Sequence, residues 1–165
     1  MVKGKGERLE AKGERLEAKV KILIINGPNL NLLGKRDPKV YGFMTMEQIL
    51  LDIQRQWLGT HFVYYQSNHE GALIDRLQEI GQSGDYDGVV INAGGYAHTS
   101  VALRDAVDYV RESGIPVVDV HISDIYSREA FRQTDLLTDV CTHAIVGHGT
   151  DGYKEAVEYI TVLKR

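Results

Sequence analysis

Three short stretches concentrate side chains that can move protons or hold anions. The first, GPNLNLLGKRDPKVYG (27–42), carries Asn29, Arg36 and Tyr41. A guanidinium near a phenol favours the phenolate, and a phenolate can serve as a general base. The second, NAGGYAHTS (92–100), offers Asn92 and His98 around Gly94 and Gly95, which let a backbone approach a ligand closely. Thr99 and Ser100 would open a helix whose N–H groups attract anions. The third is DVHISDIYSREAFR (119–132). Asp119, His121 and Ser123 are spaced by two and share a face of an extended segment. A carboxylate beside a histidine fixes its tautomer and favours its protonated form, which makes a competent acid. Ser123 could bind a ligand carboxylate. Arg128 and Arg132, at i and i+4, would share a helix face.

Each residue also has a bland reading. Asn29 could satisfy turn backbone, Arg36 be solvated, Tyr41 pack, His98 sit in a turn, and the two arginines line a wet helix face. Taken together, the residues supply a base, an acid and an anion pocket. There is no G-x-S-x-G, no P-loop lysine and no HExxH, and the six histidines show no metal-ligand spacing. The set has no nucleophile and no metal site, and it suits proton abstraction beside a carbonyl with acid-assisted loss of a hydroxyl.

Residues so far apart need a scaffold that gathers them. VKILIIN (20–26), HFVYYQ (61–66), GVVIN (88–92), 115–122 and HAIVG (143–147) read as strands, the first a continuous β-branched run. Between and after them, helices are expected from Thr45 to about Leu58, over 70–82, 99–113, about 127–132 and 151–163. Thr45 with Gln48 forms a capping box. Residues 27–44 read as a long, Gly/Pro-punctuated loop of the kind that serves as a lid. The alternation predicts an α/β fold, a doubly wound parallel sheet of five strands with helices on both faces. Ligands in such sheets bind beyond the carboxyl ends of the strands, where the loops 27–44, 92–99 and 121–132 would lie.

Composition narrows the classes. The chain has 165 residues, 43% apolar and 25% charged, which suits one soluble domain. No stretch is long and apolar enough to span a membrane, and the N-terminus has no apolar signal core. A single cysteine, Cys141, cannot form an internal disulfide, so a reducing, cytoplasmic setting is expected. The first 19 residues contain GERLEAK twice, at 6–12 and 13–19, and read as a solvated, tag-like extension to a catalytic domain over 20–165. Without them 13 basic residues face 19 acidic ones, a net of −6 against −4 for the whole chain. That balance argues against a nucleic-acid partner. GHGTDG (147–152) fits G-x-G-x-x-G, but the chain ends before the further strand and acidic residue of a dinucleotide site. A flavin- or nucleotide-binding module also lacks a phosphate loop after the first strand. A hydrolase built on Ser123, His121 and Asp119 would need three residues of one strand to bond in series, which triad geometry forbids.

INGPNLNLLGKRDPKVYG, QSNHEG, INAGGYAHTSVALRD, VDVHISDIYSREAFR and VGHGTDGY, in that order over 20–165, resemble the type II 3-dehydroquinate dehydratases. The resemblance implies a flavodoxin-like fold, a homododecamer arranged as a tetramer of trimers, no cofactor, and anti elimination of water from 3-dehydroquinate through an enolate in the shikimate pathway. By motif, Tyr41 is implied as the base, Arg36 as its activator, Asn29 as the holder of an enolate-stabilising water, and His121 as the acid. Asn92, His98, Ile122, Ser123 and Arg132 match substrate-binding positions, and Arg128 a lid partner. Asp105 matches an aspartate that reaches into a neighbouring subunit's site. The family usually has Glu two residues before the catalytic histidine. Asp119 is one methylene shorter, so its contact is expected to be longer or water-mediated.

Overall fold

A computed structural model describes residues 20–165; the GERLEAK repeat lies outside the described residues. Five strands, β1 (Val20–Asn26), β2 (Thr60–Gln66), β3 (Gly88–Asn92), β4 (Val117–His121) and β5 (His143–Val146), form one sheet. All pairings are parallel, in the order β2-β1-β3-β4-β5. The helices are α1 (Pro38–Tyr41), α2 (Met46–Gln56), α3 (Glu70–Ser83), α4 (Val101–Glu112) and α5 (Asp151–Leu163).

Alternation along β1 splits the core. Ile22 and Ile24 face α2 and α5, where Ile49, Ile53, Tyr153, Val157 and Ile160 meet them. Leu23 and Ile25 face α3 and α4, against Leu73, Leu77, Leu103 and Val107. β1 therefore shows no polar face, as a strand covered on both sides should not. The capping box at the start of α2 is present in both halves: Thr45 accepts from the Gln48 N–H, and Gln48 accepts from the Thr45 N–H.

Three local expectations are corrected. The 27–44 segment contains a 3-10 turn at Leu30–Leu32 and the one-turn helix α1. Asp37 caps α1, Pro38 starts it with its fixed φ, and Gly42 ends it at φ 77°, so Tyr41 is the last residue of a capped turn. Residues 127–132 are not a helix. They join two 3-10 turns, Ile125–Ser127 and Ala130–Arg132, because Arg128 and Glu129 are extended. Arg128 and Arg132 thus do not share a helix face. Finally, α4 begins at Val101 under a Ser100 cap, and Thr99 lies outside it.

The sheet order reverses at β1, so β2 and β3 flank it, and Asn26 pairs in register with Asn92 at the carboxyl ends of β1 and β3. The chains then part around a contact that only glycine permits. The Gly27 N–H donates to the Asn92 carbonyl at 2.7 Å, and a Cβ on Gly27 would lie 2.3 Å from the Ala93 oxygen. The GHGTDG turn has a packing explanation too: Gly147, at φ 81°, lies against Asp124, where a Cβ would be 3.1 Å away.

Candidate active site

A cavity of about 170 Å³ opens beyond the carboxyl ends of β1, β3 and β4. It is smaller than the roughly 300–1,000 Å³ typical of drug-sized ligand pockets, which suits a small metabolite. Ten of the eleven sequence candidates line it: Asn29, Arg36, Tyr41, Asn92, His98, His121, Ile122, Ser123, Arg128 and Arg132. Asp105 does not. It is exposed on α4, in a separate hollow with Ile74, Gln78 and Tyr109.

Tyr41 lies between two cations. The Arg36 guanidinium stacks over its ring, 4.4 Å from the centroid. Arg128 donates from Nη1 toward the phenol oxygen at 3.4 Å and to Ser123 Oγ at 3.2 Å. The extended backbone at Arg128, rather than a helical one, carries its side chain into this position. Arg132 is held by Glu129 at 2.7 Å.

The floor is a buried polar network. Tyr153, fully buried, donates to Asn26 Oδ1 at 2.8 Å and accepts from Asn92 Nδ2 at 3.1 Å. Asn92 Oδ1 accepts from the Gly94 N–H. Both amide ends of Asn92 are thereby oriented. Burial pushes the Tyr153 phenol up, so it remains a neutral support. Asn29 is the one non-glycine with positive φ among the described residues, 69°, and its N–H donates to Asn68 Oδ1 at 3.1 Å. Such a conformation suits an asparagine and turns the chain sharply at the cavity mouth.

The two histidines stack with centroids 6.2 Å apart. His98 Nδ1 lies 2.8 Å from the Thr134 carbonyl, which can only accept, so Nδ1 carries the proton and Nε2 is left for a ligand. His121 Nε2 meets two carboxylates, Asp119 at 3.2 Å and Asp135 at 2.8 Å, leaving Nδ1 for the cavity. Asp119 meets His121 directly rather than through a bridge, at the longer of the two distances. Burial alone would push the His121 imidazole down, but hydrogen bonds and charge from Asp119 and Asp135 overcome it and raise it to about 10. Burial raises Asp119 to about 7 despite His121. Asp135 is held below the usual carboxylate range: burial would raise it, and the hydrogen bonds from His121 and Asp119 outweigh that.

Sequence reasoning missed Asp135. It lies in an irregular segment, 14 residues from His121, with no motif around it. It also missed the Asn26–Tyr153–Asn92 floor, which joins strand ends to a distant helix. Asp119, His121 and Asp135 present atoms within 4.8 Å of one another, a spacing that could suit a divalent ion. One imidazole nitrogen meeting two carboxyl groups reads instead as an acid and its acidic partners. Burial pushes the Cys141 thiol up, which makes it a poor nucleophile. No helix among the described residues is long and apolar enough to cross a membrane.

The sequence profile of the family described as dehydroquinase class II matches residues 20–161. A 3-dehydroquinate dehydratase of Bordetella avium is 49% identical over 140 residues, 84% of this chain and 94% of its own. A catabolic 3-dehydroquinase of Phaeosphaeria nodorum is 51% identical over 140 residues, 84% and 89% of the two chains. The crystal structure of a type II dehydroquinase from Butyrivibrio crossotus superposes with a TM-score of 0.81 at 44% identity, covering 86% of this chain and 97% of that one.

Proposed function

We propose, from the premise that this chain belongs to the class II dehydroquinase family, that it dehydrates 3-dehydroquinate to 3-dehydroshikimate by anti elimination through an enolate. The chain is a hydro-lyase of the type II kind. Tyr41, as phenolate, removes a proton from C2, beside the ketone. The C–H electron pair becomes the enolate double bond, and charge collects on the carbonyl oxygen. A water held by Asn29 stabilises that oxygen; one preorganised donor of this kind is worth about 3–4 kcal/mol. The enolate pair then returns, the C1–O bond breaks, and His121 gives a proton to the departing hydroxyl, which leaves as water. Ser123, Arg132, Asn92, His98 and the backbone at Ile122 hold the substrate's carboxylate and hydroxyls. No Schiff-base lysine is required, and no lysine lines the cavity.

The observation that carries this reading is the placement of base and acid. Tyr41, flanked by two guanidiniums, and His121, on two carboxylates, line one small cavity. We further propose that the enzyme acts in the shikimate pathway toward aromatic amino acids, in the cytoplasm, as a dodecamer built as a tetramer of trimers in which Asp105 completes a neighbouring site, and that residues 1–19 take no part in catalysis. Incubation with 3-dehydroquinate tests the activity: ultraviolet absorbance of the conjugated enone should grow without added metal or cofactor. A protein that binds 3-dehydroquinate and yields no enone would overturn it.

A further inference from the structure

We infer that Asp135, and not the in-strand neighbour Asp119, is the counter-ion of the acid His121, and that Asp119 serves as a neutral carboxylic acid beneath it. The inference rests on the dehydratase reading above for the role of His121, and on geometry for the division of charge.

The two carboxyl groups have opposite surroundings. Asp135 Oδ1 accepts from the Leu137 N–H at 2.9 Å. Its Oδ2 accepts from the Thr138 hydroxyl at 2.9 Å and from His121 Nε2 at 2.8 Å. Three donors converge on one carboxyl group, which is what an ionised carboxylate requires. Asp119 is fully buried, and its Oδ1 has no hydrogen-bond partner. Its Oδ2 stands further from the imidazole, at 3.2 Å. A full charge there would leave one oxygen bare in an apolar layer, at a cost that protonation removes. Two carboxylates meeting one nitrogen cannot both ionise cheaply, and the one with the donors keeps the charge.

Other groups around the imidazole do not change this assignment. His98 stacks on it from the 92–99 turn. Cys141, which feels both aspartates, stays a thiol. Arg128 and Arg132 line the same cavity and pair with Ser123, Tyr41 and Glu129. Asp135 is therefore a positioning residue. It fixes the Nε2–H tautomer, keeps Nδ1 toward the substrate and favours the protonated ring.

The test compares Asp135→Asn with Asp119→Asn, each isosteric, by two readouts. One is the ¹⁵N NMR titration of the His121 imidazole, which needs no turnover and so stands even if the dehydratase reading fails. The other is the pH profile of kcat on 3-dehydroquinate. A general acid works only while protonated, so activity is lost as pH rises through its pKa. Asp135→Asn should move both the titration and the alkaline limb down by about one pH unit or more, and lower kcat about tenfold with KM little changed. Asp119→Asn should shift either by less than about half a unit. Asp135→Glu should recover part of the loss. A larger shift from Asp119→Asn than from Asp135→Asn would overturn the assignment. Should Asp135→Asn fail to fold, a large downward shift in Asp119→Asn alone would overturn it as well.

Discussion

At the residue scale, the clearest feature is that two arginines serve Tyr41 in different ways. The sequence pairs Arg36 with Tyr41 by proximity in the loop, and the structure agrees, but the contact is with the ring face. The cation that reaches the phenol oxygen is Arg128, a contact that the resemblance suggests by making Arg128 a lid partner but that a helical reading of 127–132 does not produce. Arg36→Ala should lower kcat about 10- to 30-fold with little change in KM, in line with the ~2 kcal/mol of a desolvated cation–π pair. Arg128→Ala should lower kcat and also raise KM, since Ser123 loses its donor. Steady-state kinetics on 3-dehydroquinate separates the two; a rise in KM confined to Arg36→Ala would contradict the assignment. The same lesson applies to the acid. Period-two spacing finds Asp119 and His121 together, while Asp135 arrives through tertiary folding that no local pattern encodes.

At the element scale, strands and helices were legible because burial writes a period into each: the unbroken apolar run of β1, the Leu73–Leu77–Ile80 stripe of α3, the Thr45–Gln48 box. The irregular pieces were less so. α1 is one turn long, and the two 3-10 turns after β4 hold only three residues each, too short for any periodicity. Their shapes come from caps, prolines and tertiary contacts. Gly27 is where element geometry meets chemistry, since its close contact sets the spacing of the β1 and β3 ends beneath Asn29 and Asn92. Gly27→Ala should cost about 1–3 kcal/mol, as overpacking does, and should also lower kcat/KM. Gly59→Ala, where a Cβ meets nothing within 4 Å, is the control and should stay near neutral. Urea unfolding checks both. Equal effects would mean that the strand ends tolerate separation.

At the scale of the whole molecule, one chain gathers ten of the eleven candidate residues and leaves Asp105 outside. Val101, 60% exposed, stands one turn before Asp105 on the same helix and presents apolar surface beside it. A partner subunit would cover this surface and carry Asp105 to a second cavity. Sedimentation should therefore show a large homo-oligomer, and subunit exchange between inactive Asp105→Ala and Tyr41→Phe proteins should restore part of the activity; a fully active monomer would refute shared sites. The proposed reaction has one base and one acid, in one cavity, remove a proton and a hydroxyl from opposite faces of the substrate. The most direct measurement follows 3-dehydroquinate deuterated stereospecifically at C2, with wild type and Tyr41→Phe compared by proton NMR. In the wild type the hydrogen anti to the C1 hydroxyl should be lost. Tyr41→Phe should still bind substrate but neither exchange that hydrogen nor form product. Loss of the syn hydrogen, or substantial turnover in Tyr41→Phe, would contradict it.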